Sequence, residues 1–264
     1  NKKNDSFNIA IICPEIISLH YSYIASELVA EFKKNGCRSI IYTSDFDNEI
    51  LYESMVKCID DPNTDAIICM NSCPWDFHDV QIPIITFGGD NKYSLVRYDI
   101  QNAMNSAISL FKSKGKTRIS FAGENQTLSK EIMFLESMSR YKMTVDGCFW
   151  DRSRFEKAGE QAAKSLLQMK RLPEGVICAY DEIAYGLIET LLSAGVRVPE
   201  DIGVIGINDI PMSRYCFGGL TTVGFPFSDV CKELVADIIE DKHIGFVKRH
   251  EYLIPAKLIK RNTA

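Results

Sequence analysis

The run Pro199–Phe227, P-E-D-I-G-V-I-G-I-N-D-I-P-M-S-R-Y-C-F-G-G-L-T-T-V-G-F-P-F, decides how the rest of the chain is read. A polar turn, Val198-Pro199-Glu200-Asp201, opens it. The apolar, β-branched and glycine-broken segment Ile202–Ile207 then predicts a short buried strand. Asn208 and Asp209 put two polar side chains where that strand ends, and Pro211 blocks a helix. Leu220–Val223 predicts a second strand ahead of Phe225-Pro226-Phe227. Ligands bind open α/β sheets at the carboxyl ends of strands, so this run predicts a ligand-binding edge.

Upstream, short apolar runs alternate with amphipathic helices. Strands are predicted at Asn8–Cys13, Ser39–Thr43, Ala66–Met70, Ile84–Phe87, Arg118–Ala122 and Val176–Ala179, with a weak one around Cys148. Helices are predicted at Ser22–Lys34, Asn48–Ile59, Asp99–Lys114, Leu128–Tyr141, Phe155–Gln168 and Glu182–Ala194, with Gly36, Gly115 and Gly195 as stops. A helix at Ser228–Glu240 and a strand-like tail at His250–Ile259 close the pattern. Repeated β-α-β units with continuous apolar strands predict parallel sheets covered by helices on both faces. About ten such strands are too many for one comfortable sheet. Two similar lobes are therefore expected, near residues 7–115 and 118–222.

The chain has 264 residues, room for two lobes of ~100–150 residues each. Its net charge of −5 argues against a nucleic-acid-binding face, which carries a basic stripe. No apolar run approaches the ~20 residues of a membrane span. The polar start, Asn1-Lys2-Lys3-Asn4-Asp5-Ser6, lacks the apolar segment of a signal peptide. The nine scattered cysteines read as small buried hydrophobes in a reducing compartment, which predicts a cytoplasmic protein. Cys69-x-x-x-Cys73 is not a C-x-x-C motif and no histidine stands at zinc spacing from it, so neither metal nor cofactor is expected.

The residues after each predicted strand combine carboxylates, amides and aromatics: Glu15 and His20-Tyr21; Asn71-Ser72-Cys73-Pro74-Trp75; Gly88-Gly89-Asp90; Asp99; Glu124-Asn125-Gln126; Tyr180-Asp181-Glu182; Asn208-Asp209. Such a set suits a polyol or sugar, with acceptors for hydroxyls and flat rings for apolar faces. Each member also has a plainer reading. Asp99 and Asp181 are placed to cap helices, and Tyr21 can be surface packing. His20 lacks a matched nucleophile, and no phosphate-binding glycine motif occurs anywhere. The chain is not expected to be an enzyme.

Longer pieces are similar to the LacI/GalR family of bacterial transcriptional regulators. V-P-E-D-I-G-V-I-G-I-N-D followed by L-T-T-V resembles its effector-binding region. Pro83-Ile84-Ile85, Asp99, Gly115–Gly123, Asp181–Gly186 and the tail Ile254–Thr263 match further family text in the same order. The resemblance implies a periplasmic-binding-protein-like type I fold, two Rossmann-like parallel-sheet lobes with crossover strands. Its expected boundaries are 7–116 plus 225–248 for the N-terminal lobe and 117–224 plus 249–264 for the C-terminal lobe. It also implies a homodimer, no membrane partner, and contact with operator DNA only through a helix-turn-helix headpiece absent from this chain. The implied mechanism is hinge closure on a small effector, probed by the set His20, Tyr21, Asp99, Lys130, Tyr180, Asp181, Asn208 and Phe227. His20 and Tyr21 fall where many members carry aromatics, Phe227 where a ring stacks on the ligand, and Asp99 where an aspartate accepts hydroxyls. Three positions depart from the family: Lys130 replaces an arginine, Tyr180 an asparagine and Asn208 an aspartate. Lysine lacks arginine's bidentate fork. The alternative reading is the solute-binding protein of a sugar importer, which shares the two-lobe architecture.

Overall fold

The computed structural model describes residues 7–89, 92–244 and 248–264. In chain order its elements begin with β1 (Asn8–Cys13), α1 (Leu19–Lys34), β2 (Arg38–Thr43), α2 (Asn48–Asp60), β3 (Ala66–Cys69), β4 (Ile84–Phe87) and β5 (Ser94–Tyr98). Next come α3 (Ile100–Ser113), β6 (Arg118–Glu124), α4 (Leu128–Tyr141), β7 (Thr144–Asp151), α5 (Phe155–Leu167), β8 (Gly175–Cys178) and α6 (Asp181–Ser193). The last are β9 (Gly203–Asn208), β10 (Thr222–Gly224), α7 (Ser228–Ile244), β11 (Glu251–Ile254) and β12 (Lys257–Ile259).

Two six-stranded sheets result, in the orders β11-β5-β4-β3-β1-β2 and β12-β10-β9-β8-β6-β7. Every pair in the first is parallel. In the second, only the β10–β12 pair is antiparallel. Strands that read as unbroken apolar runs, β3 and β8, are buried at every residue, as a sheet covered on both faces demands. The edge strand β2 instead has no fully buried residue.

The chain forms two compact units, 1–98 with 226–254 and 99–225 with 255–264. These limits differ from the boundaries expected from sequence. Helix α3 packs on α4, β9, β10 and β12, so Asp99–Lys116 goes with the second unit. The tail expected as one strand breaks at Pro255: β11 pairs with β5 in the first sheet and β12 with β10 in the second. Strand β10, within the run expected as the second strand, pairs in parallel with β9 in the second sheet, and the chain returns to the first unit at Pro226.

Local chemistry accounts for the element ends. The Asp47 carboxylate caps α2, accepting from the amides of Glu49 at 2.7 Å and Ile50 at 3.1 Å. Gly115 and Gly195, expected as helix stops, adopt φ of 74° and 81°, a region that disfavours side chains. In the second unit α5 and α6 touch backbone to backbone. A Cβ on Gly159 would lie 1.9 Å from Ile183 O, and one on Gly186 would lie 1.8 Å from Glu156 O. That close approach holds the start of α6, and with it Tyr180 and Asp181, against α5.

Candidate functional site

Both sheets reverse their strand order beside the first strand of the unit, between β1 and β3 and between β6 and β8. A crevice opens at the carboxyl ends of such a pair, and this is where α/β sheets take ligands.

In the second unit that point is occupied by charge. Glu124, the last residue of β6, is buried, and its Oε1 accepts from Arg154 Nε at 3.0 Å. Arg154 precedes α5, and its guanidinium lies 4.4 Å from the centroid of the Phe155 ring. Phe155 in turn stands 6.1 Å from Tyr180, which follows β8. Lys130 Nζ donates to Ala179 O at 2.8 Å and lies 5.5 Å from the Tyr180 ring centroid. Burial lowers the Lys130 ammonium to about 8, against the opposing pull of Glu182, Asp181 and Glu124. Burial likewise raises Glu182, and it raises the Tyr180 phenol with help from the neighbouring Glu124. Glu124 Oε2 and Glu182 Oε2 accept no hydrogen bond from any described residue, and the Tyr180 hydroxyl lies beside Glu124 without an aligned one. Buried acceptors in that state are where a ligand or water completes the set.

Asp181 does something else. Its side chain is fully buried, and three donors converge on it: Ile210 N at 2.9 Å, Ser213 Oγ at 2.6 Å and Thr222 Oγ1 at 2.5 Å. Gly206 makes room, since a Cβ there would fall 2.2 Å from Asp181 Oδ1. The glycine in the run Ile202–Ile207 therefore has a cause: it admits this carboxylate. Burial pushes Asp181 up to about 7 even though the three hydrogen bonds favour the ionised form.

The first unit presents rings at the corresponding place. His20 and Tyr21, in the first turn of α1, have centroids 5.4 Å apart. Tyr21 stands 6.0 Å from Phe46, and His20 stands 5.5 Å from Tyr98 at the end of β5. Phe87, ending β4, continues the series at 6.2 Å from Tyr98 and 6.0 Å from Phe227. Six rings thus run in sequence along one edge, at separations typical of favourable aromatic pairs.

The eight residues singled out from sequence have separate fates. His20, Tyr21 and Phe227 join the ring series of the first unit, with Phe227 buried. Lys130 and Tyr180 sit together at the charged edge of the second. Asp99 belongs to that second unit, not to the first as expected, and caps α3 by accepting from Asn102 N at 3.2 Å. Asp181, expected to touch ligand, faces inward onto its three donors; the capping reading is also replaced, since Tyr180 is the N-cap of α6. Asn208 ends β9 half-buried with φ of 109°, followed by Asp209 at 50°. Consecutive non-glycine residues there store strain, a feature that gathers at functional sites. Sequence reasoning passed over Arg154, Phe155 and Phe46; it named Glu124 among the polar residues after the strands but left it out of the ligand set. For Glu124 the signal was available, as the first polar residue after an apolar strand. Among the described residues no group of three or more His, Cys, Asp or Glu is placed to hold a metal ion, and no helix is long and apolar enough to cross a membrane.

The family of periplasmic binding protein-like domains matches residues 108–264, more than half of the chain. The chain belongs to that family. Within it the domain is of the LacI type, the effector-binding domain of transcriptional regulators. It is 25% identical over 278 residues to the HTH-type transcriptional repressor CytR of Escherichia coli K12, spanning 99% of this chain and 80% of CytR. Its fold is shared with the LacI family transcriptional regulator from Enterococcus faecalis V583 with bound ribose, at a TM-score of 0.83 and 20% identity over 97% of this chain and 98% of that one. A periplasmic binding protein/LacI regulator from Alkaliphilus metalliredigens QYMF, complexed with D-xylulofuranose, matches at a TM-score of 0.82 and 20% identity over 98% and 99%. The effector-binding domain therefore carries the expected two α/β units with parallel-dominated sheets.

Proposed function

We propose that this effector-binding domain senses a small hydroxyl-rich molecule, a sugar or sugar derivative, in a cytoplasmic homodimeric regulator, and that it is not an enzyme. The observation that carries the reading is the buried edge of the second unit. Glu124 and Glu182 each hold an oxygen that no described residue satisfies, next to Tyr180 and Lys130. Hydroxyl groups donate to such oxygens, while the neighbouring Tyr180 and Phe155 rings supply flat faces for the apolar side of a furanose or pyranose. Binding would shift the regulator between its states only as far as the ligand's affinity for those states differs. That change is the signal passed to operator binding by the rest of the regulator. The ribose and D-xylulofuranose carried by two proteins of the same fold support a sugar-sized ligand, and the repressor relatives favour a regulator over an importer's binding protein.

Calorimetric titration with pentoses, hexoses, disaccharides and nucleosides tests the reading. A ligand should emerge whose affinity falls about tenfold or more in both Glu124→Ala and Tyr180→Ala, the loss of one charged hydrogen bond or one stacking ring each. A ligand insensitive to both substitutions, or no ligand in the panel, overturns it.

A further inference from the structure

A recess outside the candidate site lies between α2 and the segment that follows β3, both in the first unit. Asn48, Glu49, Tyr52, Glu53 and Trp75 line a cavity of about 520 Å³, within the size range of small-molecule sites. The Tyr52 and Trp75 rings stand 5.2 Å apart at 66°, so they form a corner and not a flat platform. Phe77 backs that corner, stacked on Tyr52 at 5.8 Å.

The corner is built in advance of any ligand. Phe77 N donates to Tyr93 Oη at 2.8 Å, Tyr93 Oη donates to Trp75 O at 3.1 Å, and Lys92 Nζ donates to Pro74 O at 2.9 Å. Trp75, Phe77 and Tyr93 also pack on a core that includes Leu51, Met55 and Cys58. Tyr52 itself stays 44% exposed.

Both charged residues that line the recess are acidic. Glu49 and Glu53 are exposed on its wall. The positive end of α2 is already met by the Asp47 carboxylate on the amides of Glu49 and Ile50. The neighbouring cations are engaged elsewhere, Lys57 over the Tyr42 ring and Lys92 on Pro74 O. His78 faces Asp76 at 3.9 Å. Aromatic faces meeting at a corner beside carboxylates attract an organic cation, and most strongly one too weakly hydrated to prefer water.

We propose that this recess is a second ligand site, for a small molecule bearing a quaternary or alkylated ammonium group. The site is independent of the sugar reading. A sugar ring would need a flat stacking face, which a 66° corner does not offer.

Choline is the probe. The chain has two tryptophans, Trp75 and Trp150, so Trp150→Phe leaves Trp75 as the sole fluorophore. In that background choline should change the emission saturably. Tyr52→Ala should weaken the response about tenfold, and the double variant Glu49→Gln, Glu53→Gln by several-fold, with circular dichroism confirming the fold of each. Dimethylbutanol, the neutral carbon isostere of choline, should give no saturable change. A linear choline response, equal binding of the neutral isostere, saturable binding of glucose in its place, or unchanged affinity in both variants each overturns the proposal.

Discussion

The two units share one strand order at their switch points, yet the edges they build there have opposite chemistry. The first unit lines its edge with rings, from Phe46 through His20 to Phe227. The second lines its edge with buried charge: Glu124 on Arg154, Lys130 over Tyr180, and Asp181 knotted to three donors. Topology decides where a site forms, because the crevice follows from strand order alone. Side chains decide what the site can hold. Five of the six rings carry no charge near neutral pH, whereas buried charges are stabilised or destabilised by their proton content.

The largest effect should come from the ring series. Phe227→Ala removes a buried ring in contact with Phe87 and should cost about 3–4 kcal/mol in urea unfolding, with little dependence on pH. A strongly pH-dependent cost would break the contrast between the edges.

In the second unit, Asp181→Leu leaves three donors without their acceptor and should cost about 3 kcal/mol. Hydrogen exchange should place the loss at β9, β10 and the start of α6. Protection lost evenly across both units would show that Asp181 is not a local knot.

The pH response of the same carboxyl comes next. Asp181 is raised to about 7 in the folded chain, above the ~4 of an unfolded carboxylate. The stability this contributes is full below pH 4 and is lost as pH rises through 7. Stability should therefore fall by about 2 kcal/mol from pH 5 to pH 7, and Asp181→Asn should flatten that slope. An unchanged slope in Asp181→Asn would assign the titration to Glu182, whose carboxyl is raised by burial as well.

The smallest effect concerns the departure from arginine. Lys130→Arg should alter effector affinity by about 1 kcal/mol or less, because Nζ is already committed to Ala179 O. A gain of more than tenfold would mean that the site lacks a bidentate donor and that Lys130 limits it.

Much of this was legible in the sequence. Leu128–Tyr141 and Ile84–Phe87 were read to the residue, since their periodicity and flanking turns are local. β5 was missed because Ser94–Tyr98 mixes Arg97 and Tyr98 into a short run. β7 was underestimated because an edge strand half in solvent lacks a continuous apolar signal. Among candidate site residues, His20 and Tyr21 were singled out from their place after a strand, and Lys130 from the family resemblance. Arg154 was not, since its neighbour Glu124 is 30 residues away.

The run Pro199–Phe227 marks the division. By itself it determined a buried strand, a polar carboxyl end at Asn208-Asp209 and a second strand, because burial patterning and turn residues act over a few positions. Only the tertiary structure decided that Gly206 is small to admit Asp181, and that Asp181 binds Ile210, Ser213 and Thr222 at separations of 29, 32 and 41 residues. It likewise assigned the chain after Pro226 to the first unit and split the tail at Pro255 between two sheets. Hydrogen-bond partners and desolvation are set by groups brought together from distant parts of the chain, and no local pattern encodes them.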